Sequence, residues 1–465
     1  MIPISWLTFA WLQQAPQFQA VAQENASNTV SVNIPFEKYE LENGLDVILS
    51  EDHSVPFVQV NVWYDVGSKD EEAGKTGFAH LFEHLMFQGS ANHDTEYFAP
   101  LQPIGAQVNG TTSFDRTNYF EGVPSEYLPL ALWLESDRMG YLLPALTPEK
   151  LKNQQDVVRN ERRQRYEITP YGMVWVWLFE NLYPENHPYH VPTIGKHEDI
   201  ENANMDDVKA FFAKWYVPNN ATLVICGDFD PAQAKELVAQ YFGEIPRGAD
   251  VQSIKDAPAT LSEEKIIHKE DPLAPQARVW VAWLSPKMLA PGDAELDVFS
   301  SIFAEGKDSP LVQSLVYEKQ IAQEVEAFQY STTLQGQYFI SASVAEGHTT
   351  DELVAAIDEA LAKIQQTGFS QEQVDTAKLN WEKNFYESLQ TINSKADILN
   401  SYNLHTGDPG YVAKDLERYL SVTPASMQQT IQTYLPKDKR IVLHVHPATA
   451  ETKEKENVEN AKETK

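Results

Sequence analysis

The chain has 465 residues, of which 42% are hydrophobic and 11% aromatic, which is enough for at least two folded domains. Its net charge of -31 argues against binding to nucleic acid or docking on anionic lipid, because both need a basic surface. The single cysteine, Cys226, lies in an apolar run and excludes both an intramolecular disulfide and a thiolate metal site.

The N-terminal segment resembles a secretory signal peptide. Residues 2–12 form an apolar run that is too short to span a bilayer, and Ala20-Val21-Ala22 follows as a cleavage pattern. We therefore expect residues 1–22 to be a signal peptide, although no Lys or Arg precedes Lys38. This predicts an exported protein, periplasmic in a Gram-negative bacterium, without stable membrane insertion. The alternative is a disordered N-terminal arm.

Strands and helices alternate through the first half of the chain. Asn43-Gly44 is a hairpin turn signal, and Thr147-Pro148-Glu149 begins a helix with a capping residue, a proline and an acid. The alternation of apolar residues predicts strands at 34–41, 45–49, 58–64, 106–112, 117–123 and 221–227. Helical periodicity predicts helices at 76–87, 127–142, 147–167, 206–216 and 231–242.

The second half repeats part of this order, which indicates an internal duplication. The helix and strand at 208–227 match residues 427–446, and the helix from Thr147 matches one from Ser370. We predict an α+β fold of two homologous α/β-sandwich halves, each with a mixed, largely antiparallel sheet and helices packed on it. The expected boundaries are a catalytic zinc-binding domain at 33–245, a linker at 246–265, a degenerate C-terminal domain at 266–449, and a disordered charged tail at 450–465.

The pattern His-x-x-Glu-His occurs in the helix that begins near Thr76, which we interpret as its N-cap. His80 and His84 are one helical turn apart and project from the same side, so both can bind one metal ion. Glu83 is too close to His84 in sequence to complete the ligand set easily, but it can take a proton from a metal-activated water. The order of the pattern is the reverse of the commoner zinc motif and is typical of inverzincins.

A carboxylate is the natural third ligand for a catalytic zinc site with two histidines. The helix from Thr147 offers three candidates, Glu149, Glu161 and Glu167. Periodicity alone does not choose among them.

Residues 77–90 resemble the zinc-site helix of the pitrilysin/insulinase metallopeptidases, family M16. The length and the paired halves resemble its processing-peptidase-like branch, M16B, over roughly residues 35–447. The spacing of the family from the second histidine to its third ligand, a glutamate, falls here on Glu161. The second half has Asn384 at the equivalent position and no His-x-x-Glu-His, which agrees with a metal-free half. Further motif matches lie at 113–120, 160–163, 187–189 and 194–195.

The resemblance implies that Asn109 and Gly110 lie on an edge strand that pairs with peptide substrate. The alternative for Asn109 is a simple turn residue. Two departures weaken the match. The family often has a glutamate two turns before the third ligand to support the site, where this chain has Gln154. The C-terminal domains of the family often supply an Arg and a Tyr, but no Arg occurs here between Arg278 and Arg418.

We therefore predict a zinc metalloendopeptidase that binds one Zn²⁺ per chain through His80, His84 and Glu161, with Glu83 as general base. Expected substrates are peptides or unfolded segments enclosed in a chamber. The chain is expected to form a homodimer, or a heterodimer with a related chain that supplies the missing Arg and Tyr. The alternative is a non-catalytic assembly subunit of such a heterodimer.

His444 and His446 alternate along the last predicted strand, and we interpret them as structural residues.

Overall fold

A computed structural model describes residues 32–448 of the protein. The expected signal peptide at 1–22 and the expected tail at 450–465 lie outside these residues. Within them, no helix is long and apolar enough to cross a membrane.

The first half is built around a six-stranded sheet with strand order β1-β2-β6-β3-β5-β4. Only β2 and β6 are parallel, and every other pair is antiparallel. Its elements are β1 Glu37–Glu40, β2 Asp46–Glu51, β3 Phe57–Tyr64, α1 Phe78–Leu85, β4 Gln107–Thr112, β5 Thr117–Pro124, α2 Leu128–Ala145, α3 Pro148–Arg162, α4 Val174–Leu182, α5 His197–Asn202, α6 Met205–Trp215, β6 Ala221–Gly227 and α7 Pro231–Phe242.

The second half is built around a five-stranded sheet with order β7-β11-β8-β10-β9. Here too the only parallel pair is β7 with β11. Its elements are β7 Lys265–Asp271, β8 Arg278–Ser285, α8 Asp293–Ala304, α9 Pro310–Val312, β9 Ala322–Tyr330, β10 Gly336–Val344, α10 Thr350–Thr367, α11 Gln371–Ser388, α12 Ile392–Thr406, α13 Val412–Leu420, α14 Pro424–Tyr434 and β11 Ile441–Pro447.

The two sheets have the same topology once the extra strand β1 is set aside. Strands β2, β6, β3, β5 and β4 correspond in order and direction to β7, β11, β8, β10 and β9. The last strand of each half therefore inserts beside the first long strand as its parallel neighbour. This confirms the predicted fold class, two α+β halves with mixed, largely antiparallel sheets.

Each half covers one face of its sheet with its own helices and the other face with a helix from the opposite half. Apolar residues of α12 pack on the first sheet beside Ile48, Val224 and Cys226. Apolar residues of α4 pack in the same way on β8 and β11 of the second sheet. Since each sheet is completed by a helix of the other half, the two halves are joined by two buried apolar contacts.

Polar contacts fix this interface near the predicted site. The buried carboxylate of Asp115 accepts a hydrogen bond from the Tyr189 hydroxyl at 2.7 Å and another from the backbone N–H of Thr333 at 2.9 Å. The Tyr189 hydroxyl in turn accepts from the N–H of Leu334 at 2.9 Å. The loop between β9 and β10 is thus anchored beside the strands that flank α1.

Candidate metal centre

Helix α1 has one apolar side and one polar side. Phe78, Leu81, Phe82 and Leu85 are buried in the core of the first half. The polar side chains point toward α3 and β4, as their contacts below show. The 3.6-residue repeat of α1 therefore separates residues that hold the helix in place from residues that can bind a ligand.

The start of α1 differs from the prediction that Thr76 is its N-cap. Gly77 occupies that position with a left-handed φ of 85°, a conformation that glycine adopts without strain. The carboxylate of Glu71 accepts from the N–H groups of Gly77 and Ala79, both at 2.8 Å. The Thr76 hydroxyl instead donates to Asp199 at 2.5 Å. The Glu71 carboxylate, from the preceding loop, therefore binds the free N–H groups at the start of α1. The prediction that Thr76 is the N-cap is wrong.

Close packing explains why the loop at 194–195 matches the family motif. A Cβ on Gly77 would lie 2.5 Å from Ile200 Cδ1, and a Cβ on Gly195 would lie 2.5 Å from the Gly77 Cα. The carbonyl of Gly195 accepts from Arg162 Nη1 of α3 at 2.6 Å. The loop therefore locks the start of α1 to the end of α3, which fixes the two helices that present the predicted ligands.

The structure brings the three predicted ligands together. The Nε2 atoms of His80 and His84 lie 3.6 and 3.1 Å from the two carboxylate oxygens of Glu161 on α3. The centroids of the two imidazole rings are 4.9 Å apart, and the ring planes are nearly perpendicular. The other two candidates left open by periodicity, Glu149 and Glu167, are absent from these contacts.

These distances fit a zinc ion. Bonds of about 2.0–2.1 Å in a tetrahedral site place neighbouring ligand atoms about 3.3 Å apart, between the two observed distances. One feature fits less well, because His80 Nδ1 is buried and has no hydrogen-bond partner among residues 32–448. Zinc-binding histidines usually donate this second N–H to an acceptor that fixes the ring.

The electrostatics favour the protonation states that a metal needs. Burial lowers the pKa of His80 to about 4, and the neighbouring His84 acts in the same direction, so the His80 ring is neutral at pH 7. Burial would raise the pKa of Glu161, but the hydrogen bond with His84 and the positive charge of Arg165 act against burial, and the net result is a lowered pKa. A neutral imidazole and an ionised carboxylate are the forms that bind zinc.

Glu83 lies between the two histidines and the edge strand β4. Its carboxylate accepts from the Thr112 hydroxyl at 2.7 Å. One carboxylate oxygen of Glu83 and one ring nitrogen each of His80 and His84 lie within 4.8 Å of one another. Burial raises the pKa of Glu83, while the hydrogen bond from Thr112 opposes this shift. A carboxylate with a raised pKa beside a metal site has the character of a general base.

Asn109 and Gly110 lie on β4, which is the edge strand of the first sheet. A Cβ on Gly110 would lie 3.1 Å from Glu83 Cγ, so the glycine leaves room for that side chain. The Gly110 N–H donates to the Asn109 side chain at 2.9 Å, and Asn109 is exposed. An added strand would compete with the Asn109 amide for this N–H.

Several charged or polar residues at the site were missed by the sequence analysis. Arg165 donates to Glu161 Oε1 at 2.8 Å from a π-helical turn, Arg163–Glu167, that continues α3. Arg116 lies over the Trp63 ring and interacts electrostatically with Glu83 and with Tyr330 of the second half. The spacing of four residues between Glu161 and Arg165 was a local signal for their ion pair. The proximity of Arg116 to Glu83 and Tyr330 joins separate elements, so no local pattern identifies it.

Gln154, the predicted supporting residue, is buried in α3. In the described part of the chain its side chain makes no hydrogen bond. Its supporting role stays a prediction.

Comparisons with known proteins place the chain in a family. A family model described as "Insulinase (Peptidase family M16)" matches residues 46–174, and one described as "Peptidase M16 inactive domain" matches residues 202–380. The zinc protease PqqE of Helicobacter pylori is 29% identical over 380 residues, covering 79% of this chain and 83% of PqqE.

Two further relatives differ in what they are named for. The crystal structure of a protease from Helicobacter pylori matches with a TM-score of 0.82 and 25% identity, over 90% of this chain and 100% of that one. Cytochrome b-c1 complex subunit 1 of Bos taurus is 25% identical over 265 residues, covering 57% of this chain and 54% of that protein. Because two models of a single family together match residues 46–174 and 202–380 and the relatives include named zinc proteases, the chain belongs to the pitrilysin/insulinase peptidases, family M16.

Proposed function

We propose that this protein is a zinc-dependent endopeptidase and that His80, His84 and Glu161 hold one Zn²⁺. The observation that carries the proposal is the convergence of two imidazole Nε2 atoms on one carboxylate, at 3.1 and 3.6 Å, beside a second carboxylate with a raised pKa. Two neutral nitrogens and one carboxylate form a ligand set of catalytic zinc sites, with one position left for water or substrate.

Glu83 is the residue that moves protons in this proposal. When bound, zinc supplies Lewis acidity, which acidifies water and polarises a carbonyl group. Glu83 takes a proton from the water that attacks the scissile carbonyl carbon. It then delivers this proton to the leaving amine as the carbon–nitrogen bond breaks. The hydrogen bond from Thr112 holds the carboxylate in position for both transfers.

The edge strand β4 is the proposed binding surface for substrate. An extended peptide that pairs with β4 gains backbone hydrogen bonds, starting with the Gly110 N–H that now binds the Asn109 side chain. Because Gly110 is packed against Glu83, a peptide on this edge passes the proposed base. The substrate class is therefore an extended peptide or unfolded segment, enclosed in a chamber with a second copy or a related chain.

Few charged or polar side chains lie where they could stabilise a bound substrate. In the first half, Arg116 lies near Glu83, and in the second half Tyr330 interacts electrostatically with Arg116. The sequence between Arg278 and Arg418 supplies no arginine. We propose that a partner chain of the same family completes the substrate site.

The test is the variant Glu83→Gln, assayed with a quenched peptide library and by metal analysis. We expect the variant to keep stoichiometric zinc and to lose activity about 10²- to 10⁴-fold, the usual contribution of a general base. Glu72→Gln, an exposed acid in the loop before α1, is the matched control. An unchanged rate in Glu83→Gln would exclude Glu83 as the base, and zinc-free protein from a native purification would exclude the metal site.

A non-catalytic assembly subunit is the second candidate function. It is favoured by the ion pair of Arg165 with Glu161, because this pair already balances the charge of the carboxylate that would bind zinc. The relative cytochrome b-c1 complex subunit 1 is named as a component of a larger complex. An assembly role predicts that Glu83→Gln supports complex formation and growth as well as the wild-type chain does.

Export to the periplasm remains part of the proposal and depends on residues 1–22. Cell fractionation with and without these residues tests it. Retention of both forms in the same fraction would contradict export.

A further inference from the structure

Three histidines form a second cluster on the sheet of the second half, away from α1. Strands β7 and β11 are parallel neighbours, and their register pairs His268 with His444 and Glu270 with His446. Since alternate residues of a strand share a face, His268, His444 and His446 project from one face of the sheet. The structure confirms this, because one ligand nitrogen from each ring lies within 4.8 Å of the others.

The surroundings of the cluster leave ring nitrogens available. His444 is buried, and its Nδ1 lies 2.7 Å from the Thr350 hydroxyl at the start of α10. This hydrogen bond uses Nδ1 and does not involve the second ring nitrogen, Nε2. Nδ1 of the exposed His268 faces Nε2 of His446 at 3.3 Å. Two imidazole nitrogens at this distance can share either one proton or one metal ion.

A stack of histidines without a metal is the plain alternative. The rings are nearly parallel, with centroids 4.5 Å apart for His268 and His444 and 5.6 Å apart for His268 and His446. Parallel rings do not aim their lone pairs at one point, so metal binding requires His268 to turn about its side-chain torsions. His268 is exposed at the sheet edge and can turn without displacing core residues.

Two carboxylates and one helix end set the local charge of the cluster. The positive end of the α10 dipole opposes a cation. Two carboxylates offset it, since Asp351 lies 3.9 Å from His444 Nδ1 and Glu270 acts electrostatically on His446.

We propose that His268, His444 and His446 form a second metal site, which binds a divalent transition ion such as Zn²⁺ or Cu²⁺. Three imidazoles prefer these ions to Mg²⁺ or Ca²⁺, which take oxygen ligands, and Cu²⁺ binds more tightly than Zn²⁺. Asp351 or Glu270 supplies a carboxylate oxygen as a further ligand. The ion joins the edge strand β7 to the last strand β11 beside the start of α10.

The test separates this site from the proposed catalytic one. The full chain with His80→Ala and His84→Ala lacks two of the three ligands proposed at α1, so its remaining affinity reports the second site whether or not the chain is a peptidase. We expect this variant, stripped with chelator and titrated with Cu²⁺ or Zn²⁺, to bind about one equivalent. The electron paramagnetic resonance spectrum of bound Cu²⁺ should show nitrogen ligands.

Adding His268→Ala to this background should weaken binding by about 100-fold or more, beyond the usual cost of losing an outer-shell partner. His348→Ala is the matched control, because His348 lies near the start of α10 and pairs with Glu352 outside the cluster. Circular dichroism confirms that each variant is folded. Binding that is absent from the background variant, or equal in the His268→Ala and His348→Ala versions, would overturn the proposal.

Discussion

The two halves of the molecule place different chemistry on equivalent helices. In the first half, α1 faces α3 and two histidines meet one glutamate. In the second half, α8 faces α11 and α13, and its acids are already paired. Asp293 binds Arg418 at 2.7 Å, and Asp297 accepts from the Tyr419 hydroxyl at 2.7 Å.

This difference shows how a duplicated scaffold can become metal-free. The helix pair is retained because its apolar sides form the core of each half. The polar side of α8 is satisfied internally by an arginine and a tyrosine from α13, whereas that of α1 leaves ligand atoms facing one another. An internally paired site gains nothing from a cation, while at the α1 site Glu161 faces the two histidines and the exposed Arg165.

The largest expected effect comes from making the first half resemble the second. Glu161→Gln removes the carboxylate ligand and keeps the shape of the side chain, so zinc should be lost and peptidase activity should fall at least about 100-fold. Elemental analysis and a peptide cleavage assay measure the two effects. Glu149→Gln, an exposed acid on the same helix, is the control. Full zinc content in Glu161→Gln would show that Glu161 is not a ligand.

The paired acids of the second half predict a pH-dependent stability. Burial raises the pKa of Asp297 to about 7, and Asp293 adds to this shift. The folded chain therefore keeps a proton that the unfolded chain loses near pH 4, and stability falls as pH rises from about 4 to 7. Asp297→Asn keeps an acceptor for Tyr419 and removes the titration. We compare the melting temperature of this variant with that of the wild type at each pH. The difference, variant minus wild type, should increase by about 2 °C or more as the pH is raised from 5 to 8.

The control for this prediction is Asp375→Asn, which changes an exposed aspartate on α11. Identical pH slopes for Asp297→Asn and the wild type would show that Asp297 does not titrate in this range.

The strands and helices that the sequence predicts are those with strong local signals. The Asn43-Gly44 turn, the Thr147 cap and the capping box of Ser370 and Gln373 are all present in the structure. Helix α4 was not predicted, because its sequence, Val-Trp-Val-Trp, is apolar on every side and its helical repeat is hidden. It is apolar because the helix lies between the two halves.

The site shows the same limit. Spacing along one helix was enough for His80 and His84, but the choice of Glu161 came from the family resemblance. Contacts of Glu83 with Thr112 and Gly110 join α1 to a strand more than 20 residues away, so no local pattern predicts them. The pairing of His268 with His444 depends on strand register, which the sequence does not specify for the charged edge strand β7.

A smaller effect on stability is expected from changes at the start of α1, where the structure corrected the prediction that Thr76 is the N-cap. Glu71→Ala leaves the N–H groups of Gly77 and Ala79 without their acceptor, which should cost about 1–2 kcal/mol of stability. Zinc affinity should fall as well, because His80 lies in the first turn of the helix. Thermal melting and zinc competition measure these changes. Glu72→Ala is the control, and equal melting curves for the two variants would contradict the capping role.

The smallest expected effect tests the departure from the family at Gln154. The family often has a glutamate here, and in this chain His80 Nδ1 is buried without a partner among the described residues. A carboxylate two turns before Glu161 adds negative charge on the ligand-bearing helix and offers a stronger acceptor than an amide. Gln154→Glu should therefore raise zinc affinity about tenfold, within the range known for outer-shell partners. Asn153→Asp adds the same charge on the exposed side of α3 and should leave affinity unchanged. If both variants raise zinc affinity equally, the gain reflects the added negative charge alone. That result would show that the amide of Gln154 does not itself limit zinc binding.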